Sequence, residues 1–292
     1  MAIHTAYGLV CSDLSDDLSK TNLGELELDE FLNDSVQIKI KAASLNFPDL
    51  LMTRGMYQNK PNLPFALGME GSGIVEKIGK DVKDLREGDE VMFGGWGHGA
   101  IATSIILPAA LVTLKPKSLT FSEAAAFKTV YLTAYVGLIR RGYLEREETL
   151  LVHGASGGVG MAAVQMGKLY GAEVIASGTS DEKLSIVKSW GADHVINTGL
   201  EGSVEFREKV KSLTNGNGAD VIYDPVGGDV FDESIRCINW GGRLLIIGFT
   251  SGRIPTVPVN YPLIKGFSVI GVRAGEFGRR DPLKGRENNE II

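Results

Sequence analysis

Between residues 36 and 93, apolar and polar positions alternate in short runs broken by turns. Val36-Gln-Ile-Lys-Ile-Lys-Ala42 has the period of two that places every second side chain on one face of a half-buried strand. Gly73-Ile-Val-Glu-Lys-Ile-Gly79 and Asp89-Glu-Val-Met-Phe93 repeat it, with the turn Arg86-Glu-Gly-Asp89 between them. Helical spacing is weak up to about residue 125, which predicts an irregular, mostly β domain. From Ser122 the period lengthens. Ser122-Glu-Ala-Ala-Ala-Phe127 opens a helix, and Tyr131 to Arg140 keeps helical spacing. Apolar strand runs then alternate with helices. The strands are Thr149–His153, Glu173–Ala176, His194–Ile196, Asp220–Tyr223, Gly242–Ile247 and Phe267–Val272. Helices are expected at 158–170, 181–190, 204–213 and 230–238. Continuous apolar strands joined by helices predict a parallel sheet covered on both faces, a doubly wound α/β domain.

The first strand of that domain runs into Leu151-Val-His-Gly-Ala-Ser-Gly-Gly-Val-Gly160 and then directly into a helix. Gly154 permits a tight turn, Gly157 and Gly158 let backbone amides approach a pyrophosphate, and Gly160 lets the helix pack close to the sheet. The helix N-terminus favours the anion. Ser156, Gly157, Gly158 and Val159 are therefore candidate cofactor-binding residues. An NAD site places a carboxylate at the end of the second strand, for the ribose 2′-OH. Here that stretch reads Ile175-Ala-Ser-Gly-Thr-Ser180, with Lys183 one turn later. Hydroxyls and an ammonium suit a 2′-phosphate, so NADPH is expected. In the competing reading Ser180 only caps a helix and Lys183 is a solvated face residue, and Asp181 and Glu182 temper the preference.

Composition narrows the class. Glycine makes up 37 of 292 residues, about 13% against a usual ~7%, in keeping with many turns and close backbone approaches. Thirty basic and 36 acidic side chains leave a net charge of −6, which argues against nucleic acid as a partner. Cys11 and Cys237 make no disulfide framework, and no apolar run is long enough to cross a membrane. A cytoplasmic protein is expected. His4, His98, His153 and His194 are isolated from one another, and residues 80–115 hold no cysteine, so no metal site is expected.

Ser44-Leu-Asn-Phe-Pro-Asp49, Arg54-Gly-Met-Tyr57, Gly68-Met-Glu-Gly-Ser-Gly73, Gly88-Asp-Glu-Val91, the glycine string, Asp224-Pro-Val-Gly-Gly228 and Gly241-Gly-Arg-Leu-Leu-Ile-Ile-Gly248 occur in one order over almost the whole chain. Together they resemble the zinc-free, zeta-crystallin-like quinone oxidoreductase branch of the medium-chain dehydrogenase/reductase superfamily. The resemblance implies a GroES-like catalytic domain at residues 1–125 and a Rossmann NADP-binding domain at 126–272. Residues 273–292 would begin a return to the catalytic domain that family members continue for several tens of residues, so low stability is expected of a chain ending there. Zinc relatives carry a His where this chain has Met69 and a Cys near Asn46.

The implied chemistry is hydride transfer from NADPH to a quinone or an α,β-unsaturated carbonyl. The alternatives are an enoyl- or acryloyl-thioester reductase and an NADPH-binding protein without turnover. Carried over, Asn46 and Thr133 lie by the nicotinamide, with Phe249 and Ser251 flanking it. Ser156–Val159 hold the pyrophosphate, Ser177 and Lys183 the 2′-phosphate, and Asn197 and Val226 the adenosine side. Tyr57 lines the acceptor pocket as the catalytic hydrogen-bond donor, or is simply a packing residue. Leu50-Leu51 stand where some members have a second tyrosine, a change that favours enones or acyl thioesters over quinones. A homodimer is expected.

Overall fold

The computed structural model describes residues 5–94, 97–199 and 206–292. The chain divides into two compact units, Met1–Thr129 and Val130–Ile292.

In the first unit, β1 (Thr5–Cys11), β2 (Thr21–Glu27) and β4 (Phe65–Ala66) form a small antiparallel sheet of order β2-β1-β4. A second antiparallel sheet has the order β7-β3-β5-β6-β8, built from β3 (Ser35–Ala43), β5 (Glu70–Ile78), β6 (Glu90–Gly94), β7 (Ser104–Pro108) and β8 (Val112–Leu114). The alternation along β3 buries Val36 and Ile38 with Val75, Val91, Phe93 and Leu107, while the intervening polar residues face outward. Helix α1 (Phe47–Thr53) follows Asn46, and α2 (Phe121–Ala125) is capped by Thr120 and Glu123, each accepting from the other's backbone N–H. Helix α3 (Lys128–Tyr135) then widens into a π-helical turn over Val136–Arg141.

The second unit holds a six-stranded parallel sheet of order β11-β10-β9-β12-β13-β14. Its strands are β9 (Thr149–Val152), β10 (Glu173–Gly178), β11 (His194–Asn197), β12 (Ala219–Asp224), β13 (Ile238–Ile246) and β14 (Ser268–Gly271). The helices are α4 (Gly158–Leu169), α5 (Asp181–Ser189), α6 (Arg207–Leu213), α7 (Gly228–Cys237) and α8 (Asn260–Lys265). The apolar runs serve two cores at once. Leu150, Val152, Val174, Val221 and Tyr223 pack under α4, whereas Leu151, Ile175, Ile222 and Leu244 pack with Val210, Phe231 and Ile235 of α6 and α7. The expected fold class is the observed one, and β1, β2, β7, β8 and α1 are elements the sequence pattern did not single out. Val204, the expected start of α6, lies outside the described residues.

Helices α9 (Ala274–Arg280) and α10 (Pro282–Ile291) close the second unit. Arg140 Nε donates to Asn288 Oδ1 at 2.9 Å and its guanidinium pairs with Glu287, while Ile292 packs against the core under α4.

The turn after β9 depends on close packing. Gly154 has φ +55°, and a Cβ on Gly160 would stand 2.4 Å from the Gly154 carbonyl oxygen and 2.7 Å from the Ala155 Cα. A Cβ on Gly157 would meet nothing nearer than that oxygen at 3.4 Å. Gly160→Ala is therefore expected to cost roughly 1–3 kcal/mol, the usual range for overpacking, lowering Tm by several degrees, while Gly157→Ala leaves Tm within about a degree. Thermal melts of the two variants check this, and equal melting would contradict it.

Candidate functional site

Strand order reverses between β9 and β12, and ligands of doubly wound sheets bind beyond the carboxyl ends of the strands at such a point. Four segments meet there. The glycine turn leads into α4, whose N-cap Gly157 supplies no side-chain cap, so the first amides of the helix have no partner from it. Ser156, Gly157 and Gly158 are exposed and Val159 is half-buried. Val226 lies against the turn, its Cγ2 3.3 Å from where a Gly154 Cβ would be. Asp224 is buried, and its Oδ1 accepts from the amides of Val226 and Gly227 at 2.8 and 2.9 Å. Burial raises the Asp224 carboxyl above the usual range against the pull of those amides. The loop after β13 closes over this one: Ser251 N donates to Val226 O, and Gly228 N to Arg253 O. Phe249 and Ser251 press on Gly227 and Gly228, both at positive φ, where a Cβ would lie 2.9 Å from Phe249 and 2.6 Å from Ser251 Oγ.

The end of β10 corrects one expectation and qualifies another. Ser177 does not face a 2′-phosphate. It is 2% exposed, and its Oγ lies 2.7 Å from His153 Nδ1 in the core. Asn197 is held at both ends of its amide, donating to Asp181 Oδ1 at 2.7 Å and accepting from Gly199 N at 2.8 Å. It ties β11 to the start of α5, leaving its amide little capacity for adenosine. Thr179 and Lys183 are exposed, and Ser180 caps α5 by accepting from Lys183 N.

In the first unit Asn46 sits at the start of α1 because Asp49 accepts from its backbone N–H at 2.8 Å. Its Nδ2 donates to Ser44 Oγ at 3.1 Å and to Glu70 Oε1 at 3.0 Å. Glu70, 1% exposed, also accepts from Ser44 Oγ and, through Oε2, from Thr129 N at 2.8 Å. Asp49 Oδ1 holds the Gly68 amide at 2.9 Å; burial pushes its carboxyl up, with Glu70 adding to the rise. Lys128 is half-buried with only long contacts, 3.4 Å to Leu111 O and 3.5 Å to Thr113 Oγ1. Burial brings its ammonium down to about 8, against which Glu70 pulls upward. Tyr57 is half-buried and packs with Leu9 and Met69 on the cluster of Cys11, Met52, Phe65 and Leu67. Thr133 is half-buried on α3, in the second unit.

Ser44, Glu70 and Asp224 stand inside the strings quoted from the sequence, but their pairing depends on the fold; Lys128 carried no local signal.

Comparison with known proteins decides the family. Residues 33–117 match the alcohol dehydrogenase GroES-like domain, and residues 158–284 match the zinc-binding dehydrogenase model. The chain is 37% identical over 287 residues to a quinone oxidoreductase-like protein 2 homolog of Nematostella vectensis, covering 96% of this chain and 75% of that one. It belongs to the quinone oxidoreductase-like family of medium-chain dehydrogenases/reductases. Among solved structures, the CurK enoyl reductase superposes with TM-score 0.85 at 27% identity, covering 98% of this chain and 86% of that one. A mycobacterial protein complexed with NADPH gives the same TM-score and identity, over 98% and 88%.

The family also includes zinc enzymes, so the donor set needs testing. At positions 46 and 69 this chain offers an amide already donating to Ser44 and Glu70, and a thioether. Neither fits a zinc ligand, for which thiolate, imidazole or carboxylate is required. A nicotinamide dinucleotide does fit: the open backbone at Gly157 and the uncapped start of α4 can receive a pyrophosphate.

Lys128 yields a stability test. Because its folded value near 8 lies below the ordinary 10.5, the unfolded chain holds that proton more tightly, and stability rises as pH climbs from about 8 to 10.5. At pH 7 the buried charge costs on the order of 3 kcal/mol. Lys128→Met is expected to be the more stable protein in urea at pH 7, with the gain gone above pH 10. Destabilisation at pH 7 would contradict this.

Proposed function

We propose that the chain is an NADPH-dependent oxidoreductase that reduces a quinone or an α,β-unsaturated carbonyl without zinc. The observation that carries this reading is the uncapped start of α4 at the strand-order reversal, opened by Gly157. The mycobacterial neighbour complexed with NADPH supports the cofactor class. Thr179, Ser180 and Lys183 at the end of β10 support the 2′-phosphate, now without Ser177.

NADPH would supply the hydride, and the chain's own residues bind and orient. The amides of 157–159 hold the pyrophosphate, Val226 packs beside the turn on the adenosine side, and Phe249 and Ser251 flank the nicotinamide. Asn46, fixed by Ser44 and Glu70 in the first unit, and Thr133 in the second are the further side chains proposed for the nicotinamide. A conjugated acceptor that took this hydride would carry the displaced electron pair onto its oxygen, where Tyr57 or water would deliver the proton. Two buried, unpaired cysteines support a reducing compartment such as the cytoplasm. A homodimer is supported by β14 at the sheet's edge, with Val269, Leu263, Ile264 and Trp240 exposed in and beside it.

Leu50 and Leu51 of α1 favour a second reading, reduction of an enoyl or acryloyl thioester, and the CurK neighbour is an enoyl reductase. Rates of NADPH oxidation with 1,4-benzoquinone, 1-octen-3-one and acryloyl-CoA rank the acceptors, and silence across the panel despite NADPH binding would leave a binding protein without turnover. Lys183→Ala is expected to weaken NADPH by about 10- to 150-fold, the worth of one charge-assisted hydrogen bond, and to spare NADH. Equal losses for both would show that Lys183 only solvates the helix.

A further inference from the structure

One buried titratable side chain, outside any direct contact just proposed, joins three of the segments that form the nucleotide end. His153, between β9 and Gly154, is 1% exposed. Its Nδ1 lies 2.7 Å from Ser177 Oγ at the end of β10, and its Nε2 lies 2.9 Å from Ser234 Oγ on α7. Phe206 closes over the ring at a centroid separation of 4.8 Å. The direction of each bond follows from proton counting. Ser234 gives its single hydroxyl proton to Val230 O at 2.7 Å, so its oxygen can only accept from His153 Nε2–H. Burial brings the imidazole down to about 3, so the ring is neutral and Nδ1 is left as an acceptor for the Ser177 hydroxyl. The result is one directed chain: Ser177 O–H to Nδ1, Nε2–H to Ser234, Ser234 O–H to the Val230 carbonyl.

Each link ends at a segment that faces the cofactor. Ser177 precedes Gly178-Thr179-Ser180, the stretch before Lys183. The same strand end is tied to the turn a second time, where Ala155 N donates to Ser177 O at 3.0 Å. Val230 and Ser234 lie on α7, which starts at Gly228 under Ser251. We propose that His153 is a positioning residue for the dinucleotide: its bond to Ser177 sets the end of β10 against the glycine turn and so fixes the 2′-phosphate contacts. Ser177 thereby affects cofactor selectivity without touching the cofactor. The inference rests on the NADPH reading above.

Asparagine and glutamine separate the two bonds. The amide of His153→Asn places an oxygen near the Nδ1 position and keeps the acceptor for Ser177. That of His153→Gln reaches the Nε2 position, keeps the donor to Ser234 and leaves the Ser177 hydroxyl without its acceptor. Dissociation constants for NADPH and NADH, kcat at saturating NADPH, and Tm are measured for wild type, both variants and Ser177→Ala. His153→Gln and Ser177→Ala are expected to weaken NADPH about five- to tenfold, the worth of one hydrogen bond. NADH should weaken less and kcat should hold, while His153→Asn restores wild-type selectivity. Combining Ser177→Ala with His153→Gln should add little, because both break the same bond. If His153→Gln does not fold, Ser177→Ala tests that bond with the histidine intact. Falling Tm with unchanged dissociation constants, or equal behaviour of Asn and Gln, would reduce His153 to a core residue and overturn the inference. Failure of wild type to bind NADPH would instead strike the functional reading beneath it.

Discussion

The nucleotide end of the second unit depends on how closely α4 approaches the turn that precedes it. A hydrogen in place of a side chain at Gly160 lets the helix begin beside the Gly154 carbonyl, where a Cβ would be 2.4 Å away. That approach aims the first amides of α4 outward from the end of β9, next to β12, where the sheet reverses its order. Gly157 is exposed at the same place, with only the Gly154 oxygen within contact of a Cβ there, so the positive end of the helix is accessible to an anion. Close packing on one side and an open backbone on the other are what suit this turn to an anion.

The chain holds several of its loops with buried polar side chains. Asp224 gathers two amides to shape the Pro225–Gly228 loop, and His153 draws β10 and α7 toward the turn. In the first unit Glu70 does the same for Ser44, Asn46 and the Thr129 amide. Such networks cost desolvation and return geometry, since a buried donor or acceptor left alone is expensive. Satisfaction is incomplete: Asp224 Oδ2 is buried without a partner, and the half-buried Lys128 ammonium has only long contacts.

The architecture was legible in the sequence because its causes are local. Runs such as Leu150-Leu-Val152 and Val221-Ile-Tyr223 have no polar face, which leaves a strand covered on both sides, and the glycine spacing marks where the first strand gives way to a helix. The short strands of the first unit were partly missed, since β1 and β2 carry weak alternation and owe their pairing to each other. At the site, the turn and its neighbours Val226, Phe249 and Ser251 were legible as strings. Ser177 was not, because the sequence shows a hydroxyl at a strand end but not which face it takes. Its partner His153 lies 24 positions earlier, and only the β9–β10 register brings the two together. The contact between Arg140 and Asn288 was equally out of reach of the sequence, since 148 positions separate the two.

The central claim is that the start of α4 and the end of β10 form one site for a 2′-phosphorylated dinucleotide. Calorimetric titration of the unmodified chain with NADPH and with NADH tests it most directly. The account predicts one site per chain and NADPH binding at least about tenfold more tightly, the lower worth of a charge-assisted contact to phosphate. NADH binding as tightly as NADPH, or no binding of either, would contradict it.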